Sequence, residues 1–288
     1  MNDRSKGLLY GFAGVAIYSL SLPGTRLAVI DLPPVFVTGV RLAGSGLISL
    51  AYLAAVRASL PRRAEFTRLM IVVLGVVFGF PLFSAFAMLT VDSSHGGVVL
   101  ALMPFMTAIA AIPLGGERPG WPFFLFAALG TATVFAYVLE HSSGTVTVGD
   151  FYLVIAAACA GIGHAAGGAL ARRRAGLEVI AWALVLALPI TLPLVVFGAP
   201  GNFAFVRAPS WTGLLYITIF AQFVGFFFFY RGMALGGIAE VGQVQLLQVY
   251  MTIAAGAVFL HEPLDAGLLT AAALTILFVW LGRRSQRR

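Results

Sequence analysis

Apolar runs of about twenty residues recur along the whole chain, separated by short polar connections, and this restricts the fold more than any other feature. A bilayer core about 30 Å thick is crossed by a helix of roughly 20 apolar residues rising 1.5 Å each. Runs of that length fall at 8–29, 34–56, 69–90, 94–114, 121–139, 150–171, 177–198, 211–232, 238–260 and 264–282. The expected fold is therefore an all-α membrane protein of ten transmembrane helices. The longest polar stretch, Arg57 to Arg68, leaves no room for a soluble domain, so residues 1–288 read as one transmembrane unit.

Charge supports this reading. Apolar residues make up 60% of the chain and charged ones 10%, against roughly 25% charged in soluble domains. The net charge of +7 would suggest nucleic acid in a soluble protein. Here the basic residues sit in short clusters between apolar runs, such as Arg62, Arg63 and Arg68, or Arg172, Arg173 and Arg174. With the N-terminus in the cytoplasm, these clusters and the C-terminal arginines fall inside. Only Arg26 and Arg207 fall outside, with Arg41 embedded in the second run. The positive-inside rule then favours ten spans in a cytoplasmic (inner) membrane, both termini cytoplasmic. No small-residue cleavage site precedes the second run, so the first reads as a retained helix rather than a signal peptide. The single cysteine, Cys159, excludes internal disulfides and metal motifs built on paired cysteines; no cofactor or metal is expected.

The chain also repeats itself. LMPFMTAIAAIPLGGER, ending the fourth run, aligns with LLQVYMTIAAGAVFLHEP, ending the ninth, when Glu117 is set over Glu262, an offset of 145 residues. The same offset pairs Phe78 with Phe223, Gly97 with Gly242, Leu102 with Leu247, Met106 with Met251 and Thr107 with Thr252. Each half, about 8–139 and 150–282, holds five runs. Five is odd, so the halves enter the membrane from opposite sides as an inverted repeat.

These residues resemble the drug/metabolite transporter superfamily, of the EamA type, over essentially the full length. The run from Pro104 through Gly116 and Glu117 is similar to the family's proline-containing fourth helix ending in Gly-Glu. The second copy departs from it, with Val249 in place of proline and His261 before Glu262 and Pro263. PVFVTGVRLAGSGLISL, with its single Arg41, looks like the family's second helix. The resemblance implies secondary transport by alternating access, often export, of amino acids, nucleobases or amphipathic drugs. Hydrophobic and aromatic amino-acid exporters look nearest in overall texture.

Polar side chains within spans are expensive against lipid and normally face the bundle interior. Gln245, Gln248 and Thr252 share one face of the ninth span, so they either line a cavity or join helices. At the repeat offset they map onto Leu100, Met103 and Thr107, giving one hydrogen-bonding wall and one oily wall. Gln222 and Tyr230 share a stripe of the eighth span with Phe226 and Phe229. His164 lies among Gly161, Gly163, Gly167 and Gly168 and falls opposite Tyr18 when the first and sixth spans are aligned. His164 and Glu240 are the candidates for proton coupling. Arg41, some seven residues into the second span, can meet a substrate carboxylate or snorkel outward, and reads mainly as structural. Glu117 and Glu262 read as exposed helix ends.

An intramembrane hydrolase would need a nucleophile and base facing each other. GxSxG and HExxH are missing, and Asp31, Asp92, Asp150 and Asp265 all sit at expected external ends. A channel or scaffold remains a further alternative. The expected partners are a small-molecule substrate and the lipid bilayer, with no nucleic acid.

Overall fold

The computed structural model describes residues 3–115, 120–141, 146–171, 173–236, 244–264 and 266–285, and every regular element among them is a helix. In chain order these are α1 (Asp3–Ser19), α2 (Ser21–Val29), α3 (Pro34–Ala55), α4 (Arg63–Val72), a π-helical stretch Val73–Gly79, α5 (Phe80–Ala87), α6 (Ser93–Leu100), α7 (Met103–Gly115), α8 (Trp121–His141) and α9 (Val148–Ala171). There follow α10 (Gly176–Phe197), α11 (Ala208–Tyr216), a second π-helical stretch Ile217–Val224, α12 (Gly225–Gly236), α13 (Leu246–Leu260) and α14 (Ala266–Ser285).

Seven helical stretches among the described residues are long and apolar enough to cross a membrane: Ser5–Val29, Pro34–Ala55, Arg63–Ala87, Ser93–Leu114, Val148–Ala171, Gly176–Phe197 and Ala208–Gly232. Shorter apolar helical segments, Phe124–Thr133, Leu247–Leu260 and Ala266–Gly282, occupy the remaining expected runs. In the ninth run the chain turns at Gln245, and residues 237–243 lie outside the described part. Glu117, Glu240, Gly242 and Asp265 also fall outside it.

Several helices are broken, with identifiable causes. Pro23 cannot donate to Ser19 O, and the chain turns at Leu20 between α1 and α2. The freed Ser19 carbonyl accepts from Thr252 Oγ1 at 2.9 Å. Pro104 likewise withholds a donor from Leu100 O, and the chain turns at Ala101 and Leu102 through bonds three residues apart, Ala101 N to Val98 O and Leu102 N to Val99 O, both 3.1 Å. Pro81 stands at the start of α5, directly after the first π-helical stretch, where its missing N–H is tolerated. The turn at Gln245 and the second π-helical stretch have no such proline within them, yet each stands opposite its partner at the 145-residue offset, Gln245 over Leu100 and Thr218–Val224 over Val73–Gly79.

Helix pairings recur across the two halves. α1 packs on α12, and α9 packs on the Val73–Gly79 stretch and α5. α7 packs on α9, and α1 packs on α13. Three further pairings join equivalent helices of the two halves: α3 with α10, α6 with α13 and α8 with α14. The core is two clusters of buried aliphatic and aromatic side chains, one around Leu22, Met88, Val99 and Leu153, the other around Val15, Leu42, Val72, Leu184 and Phe229.

The two ends of the bundle are tied by polar contacts. At one end Asp31 pairs with Arg207, Nη2 to Oδ1 at 2.7 Å. Hydrogen bonds from Arg207 and Ser210 hold the Asp31 carboxyl well below the usual carboxylate range. Asp150 accepts from Thr147 N and Oγ1 at 2.9 and 2.6 Å, capping α9, and lies 2.5 Å from His95 Nε2. At the other end Arg174 joins Ser59 O, Leu60 O, Glu65 and Glu178.

Candidate binding site in the bundle centre

The breaks converge on the middle of the bundle. There a cavity is walled by Tyr18, Ser21, Arg41, Phe80, His164, Gln222, Phe226, Gln245 and Gln248, with Val76, Met103, Ala160 and Ala221 filling between them. A second cavity shares Met103, Gln245 and Gln248 and extends past Leu100, Gly97 and Val249 to Thr252. Corresponding positions of the halves face one another: Tyr18 and His164, Val76 and Ala221, Met103 and Gln248, Leu100 and Gln245.

One wall is aromatic. Tyr18 meets Phe226 edge-on with ring centroids 5.3 Å apart, and His164 stacks on Phe226 at 5.9 Å. The other wall is polar. Gln222 stands on the second π-helical stretch and accepts from Arg41 Nε through Oε1 at 2.8 Å. Arg41 Nη2 is 3.4 Å from Ser21 Oγ, and the guanidinium carbon lies 5.9 Å from the Phe80 ring centroid. Ser45, one turn along α3, places Oγ 2.6 Å from both Arg41 O and Thr218 O, tying α3 to that same stretch.

Five buried polar atoms of residues lining this cavity have no hydrogen-bond partner among the described residues: Tyr18 Oη, Arg41 Nη1, His164 Nδ1, Gln222 Nε2 and Gln248 Oε1. Each such atom costs about 1–3 kcal/mol when left unpaired in a protein interior. Their clustering in one cavity distinguishes this place from ordinary core.

Of the residues singled out from the sequence, Tyr18, His164, Gln222, Met103, Gln245 and Gln248 line the first cavity, and Leu100 and Thr252 line the second. Thr252 donates its hydroxyl to Ser19 O, so it braces the α1–α2 break as well. Tyr230 lines neither. Its ring is fully buried, wedged against Gly167 of α9 and Gly176 of α10, where any larger residue would collide with it. Glu240 lies outside the described residues.

Two expectations change. Arg41 does not snorkel outward: it is 3% exposed and faces the cavity. Its place in the run indicated depth but not direction, because only the packing of α3 against the Gln222 stretch decides which way it points. Glu262 is not an exposed helix end either. His261 takes a left-handed conformation, φ 56°, and turns the chain so that the Glu262 carboxylate caps the start of α6. It accepts from Ser93 N and Oγ at 2.7 and 2.9 Å and from Ser94 N and Oγ at 2.8 and 2.5 Å. The reversal at His261 stands where the first half has Gly116, a residue suited to that conformation.

Apolar helices around a central cavity lined by polar and aromatic side chains define a multi-pass membrane protein with an internal site. The chain belongs to the EamA-like transporter family, whose model matches it twice, over residues 5–139 and 147–282. It is 40% identical over 284 residues, 99% of each chain, to a Bacillus subtilis (strain 168) protein named Uncharacterized transporter YdeK. A crystal structure with 19% sequence identity shares the fold at a TM-score of 0.68 over 99% of both chains. The chain is thus a membrane transporter, which implies a small-molecule substrate and a lipid bilayer.

Proposed function

We propose that this transporter works by alternating access, exporting hydrophobic or aromatic amino acids across the cytoplasmic membrane, with both termini in the cytoplasm. Ten spans form two inverted five-helix halves, about 8–139 and 150–282, in a single transmembrane domain. Three features support the halves: the double family match, the helix breaks and π-helical stretches that correspond at one offset, and the paired helix contacts. The inverted arrangement lets a central site open to either face in turn.

One observation carries the substrate reading: the cavity sets aromatic Tyr18, Phe80 and Phe226 against glutamine amides with unpartnered atoms on Gln222 and Gln248. Such a site suits a ligand with a polar head and an apolar body. The same amides also fit the edges of a nucleobase, which makes nucleobase export the second reading. His164 is the candidate proton carrier within the described cavity.

The test is uptake by proteoliposomes of amino acids, nucleobases and amphipathic cations, with and without a pH gradient. Saturable uptake and counterflow of phenylalanine or leucine are expected. If only nucleobases or cations are carried, the substrate assignment falls; non-saturable flux would indicate a channel. If protons drive transport through His164, His164→Ala abolishes gradient-driven accumulation and leaves counterflow intact. Unchanged gradient dependence removes His164 from that role.

A further inference from the structure

Arg41 is a buried cation that has no counter-anion among the described residues. Every carboxylate that the structure engages is engaged elsewhere: Asp31 with Arg207, Asp92 with Arg26, Asp150 with His95, Glu65 and Glu178 with Arg174, and Glu262 with Ser93 and Ser94. Among the described residues Arg41 makes no ion pair. Its single short hydrogen bond is to the neutral amide of Gln222, and Nη1 has none. Neutral dipoles and the Phe80 ring soften a buried charge but do not cancel it, and an uncancelled one is strongly unfavourable.

The other loose ends of the cavity have a sign. Arg41 Nη1, Tyr18 Oη and Gln222 Nε2 are unpartnered groups able to donate, His164 Nδ1 donates or accepts according to its tautomer, and Gln248 Oε1 only accepts. A surplus of donors around a fixed positive charge complements an anion. A guanidinium with a free nitrogen fits a carboxylate in particular, since the planar fork and the two oxygens match. A phosphate dianion would ask for more than one cation, and Arg41 is the only lysine or arginine among the described residues that line the cavity.

We infer that Arg41 anchors the carboxylate of the transported molecule, so that the cavity selects monocarboxylates with an apolar body and rejects cations. This rests on the cavity being the transport site, and it narrows that reading: the carboxylate is obligatory, while an amino group is not, because no carboxylate among the described residues lines the cavity to receive it.

The experiment uses the full chain, purified, with matched probes: hexanoate, benzoate, 3-phenylpropionate and phenylalanine as acids, 3-phenylpropionamide and phenethylamine as their neutral and cationic counterparts. Binding is read by equilibrium dialysis and by thermal stabilisation. At least one acid is expected to bind about 100-fold more tightly than its amide or amine counterpart. Arg41→Gln should remove that preference, Arg41→Lys should retain it in part, and Arg41→Gln without ligand should melt at or above the parental temperature, because an uncompensated charge has gone.

Amides or amines binding as well as acids overturn the inference, as does parental acid affinity in Arg41→Gln. Should that variant not fold, the ladder of probes on the parent and on Arg41→Lys decides alone. Failure of every acid to bind the parent also overturns it, while leaving transport of nucleobases or cations open to the uptake panel. Arg41-dependent binding of hexanoate without the aromatic acids keeps the anchor and discards the aromatic substrate. Arg41-dependent binding without any flux discards the transport reading instead.

Discussion

The Glu262 carboxylate is wrapped by the four donor groups of Ser93 and Ser94, whereas Arg41, also buried, has one short hydrogen bond to Gln222 and an Nη1 with no partner. Both lie where helices of the two halves meet. The Glu262 site sits at the start of α6, where free backbone N–H groups and the helix dipole favour a negative charge. Further along the same helix pair, Gly97 of α6 approaches Thr252 of α13 so closely that an added Cβ would lie 3.1 Å from its methyl carbon. These contacts clamp α6 to α13 between the cavity and the Glu262 end. A buried charge that is fully answered within the chain is a fastening; one left unanswered at a cavity is a place for something else.

The largest effect expected from this contrast is at the fastening. Glu262→Ala strips the acceptor from the buried donors of Ser93 and Ser94 and should lower the unfolding free energy by about 3 kcal/mol. Glu262→Gln should fall between, since one amide oxygen replaces two carboxylate oxygens. Thermal unfolding of purified protein in detergent reads this directly. A melting temperature unchanged by Glu262→Ala would break the contrast.

The smaller effect is at the cavity and differs in kind. Gln248→Leu removes an unpartnered carbonyl oxygen, so the melting temperature should stay level or rise. Affinity for phenylalanine, whose ammonium can donate to Gln248 Oε1, should fall by up to about tenfold, the worth of one hydrogen bond, while that for 3-phenylpropionate, which has no donor to offer it, should not. A loss of stability comparable to that of Glu262→Ala would make Gln248 part of the scaffold instead.

The sequence reveals helices well because membrane thickness makes length a direct measure, as with the 22-residue α3 and α10. It reveals breaks where proline removes a donor, at Pro23, Pro81 and Pro104. At Gln245 and over Ile217–Val224 no residue type announces the change, and only correspondence with the other half marks the place. Within the site, the shared face of Gln245, Gln248 and Thr252 followed from helical spacing alone. The direction of Arg41 and the withdrawal of Tyr230 behind Gly167 and Gly176 did not, since both depend on which neighbouring helix comes close. Glu262 was misjudged because nothing in its own span reveals serines 168 and 169 residues earlier in the chain.

If Arg41 anchors the substrate carboxylate, its bare guanidinium should also set the timing of a transport cycle. A loaded carrier crosses its closed intermediate with Arg41 neutralised, but an empty one must close over an unpaired cation and bear the cost of dehydrating it. The return of the empty carrier then becomes the slow step. Adding substrate to the far side of a proteoliposome should therefore speed release from the near side, with exchange outrunning net efflux by about tenfold or more, each factor of ten reflecting about 1.4 kcal/mol of barrier. Equal rates of exchange and net efflux would show that Arg41 finds another partner when the carrier is empty. Exchange kinetics of this kind would tie the outward flow of one carboxylate to the inward flow of another, making the carrier a trader of anions more than a drain for them.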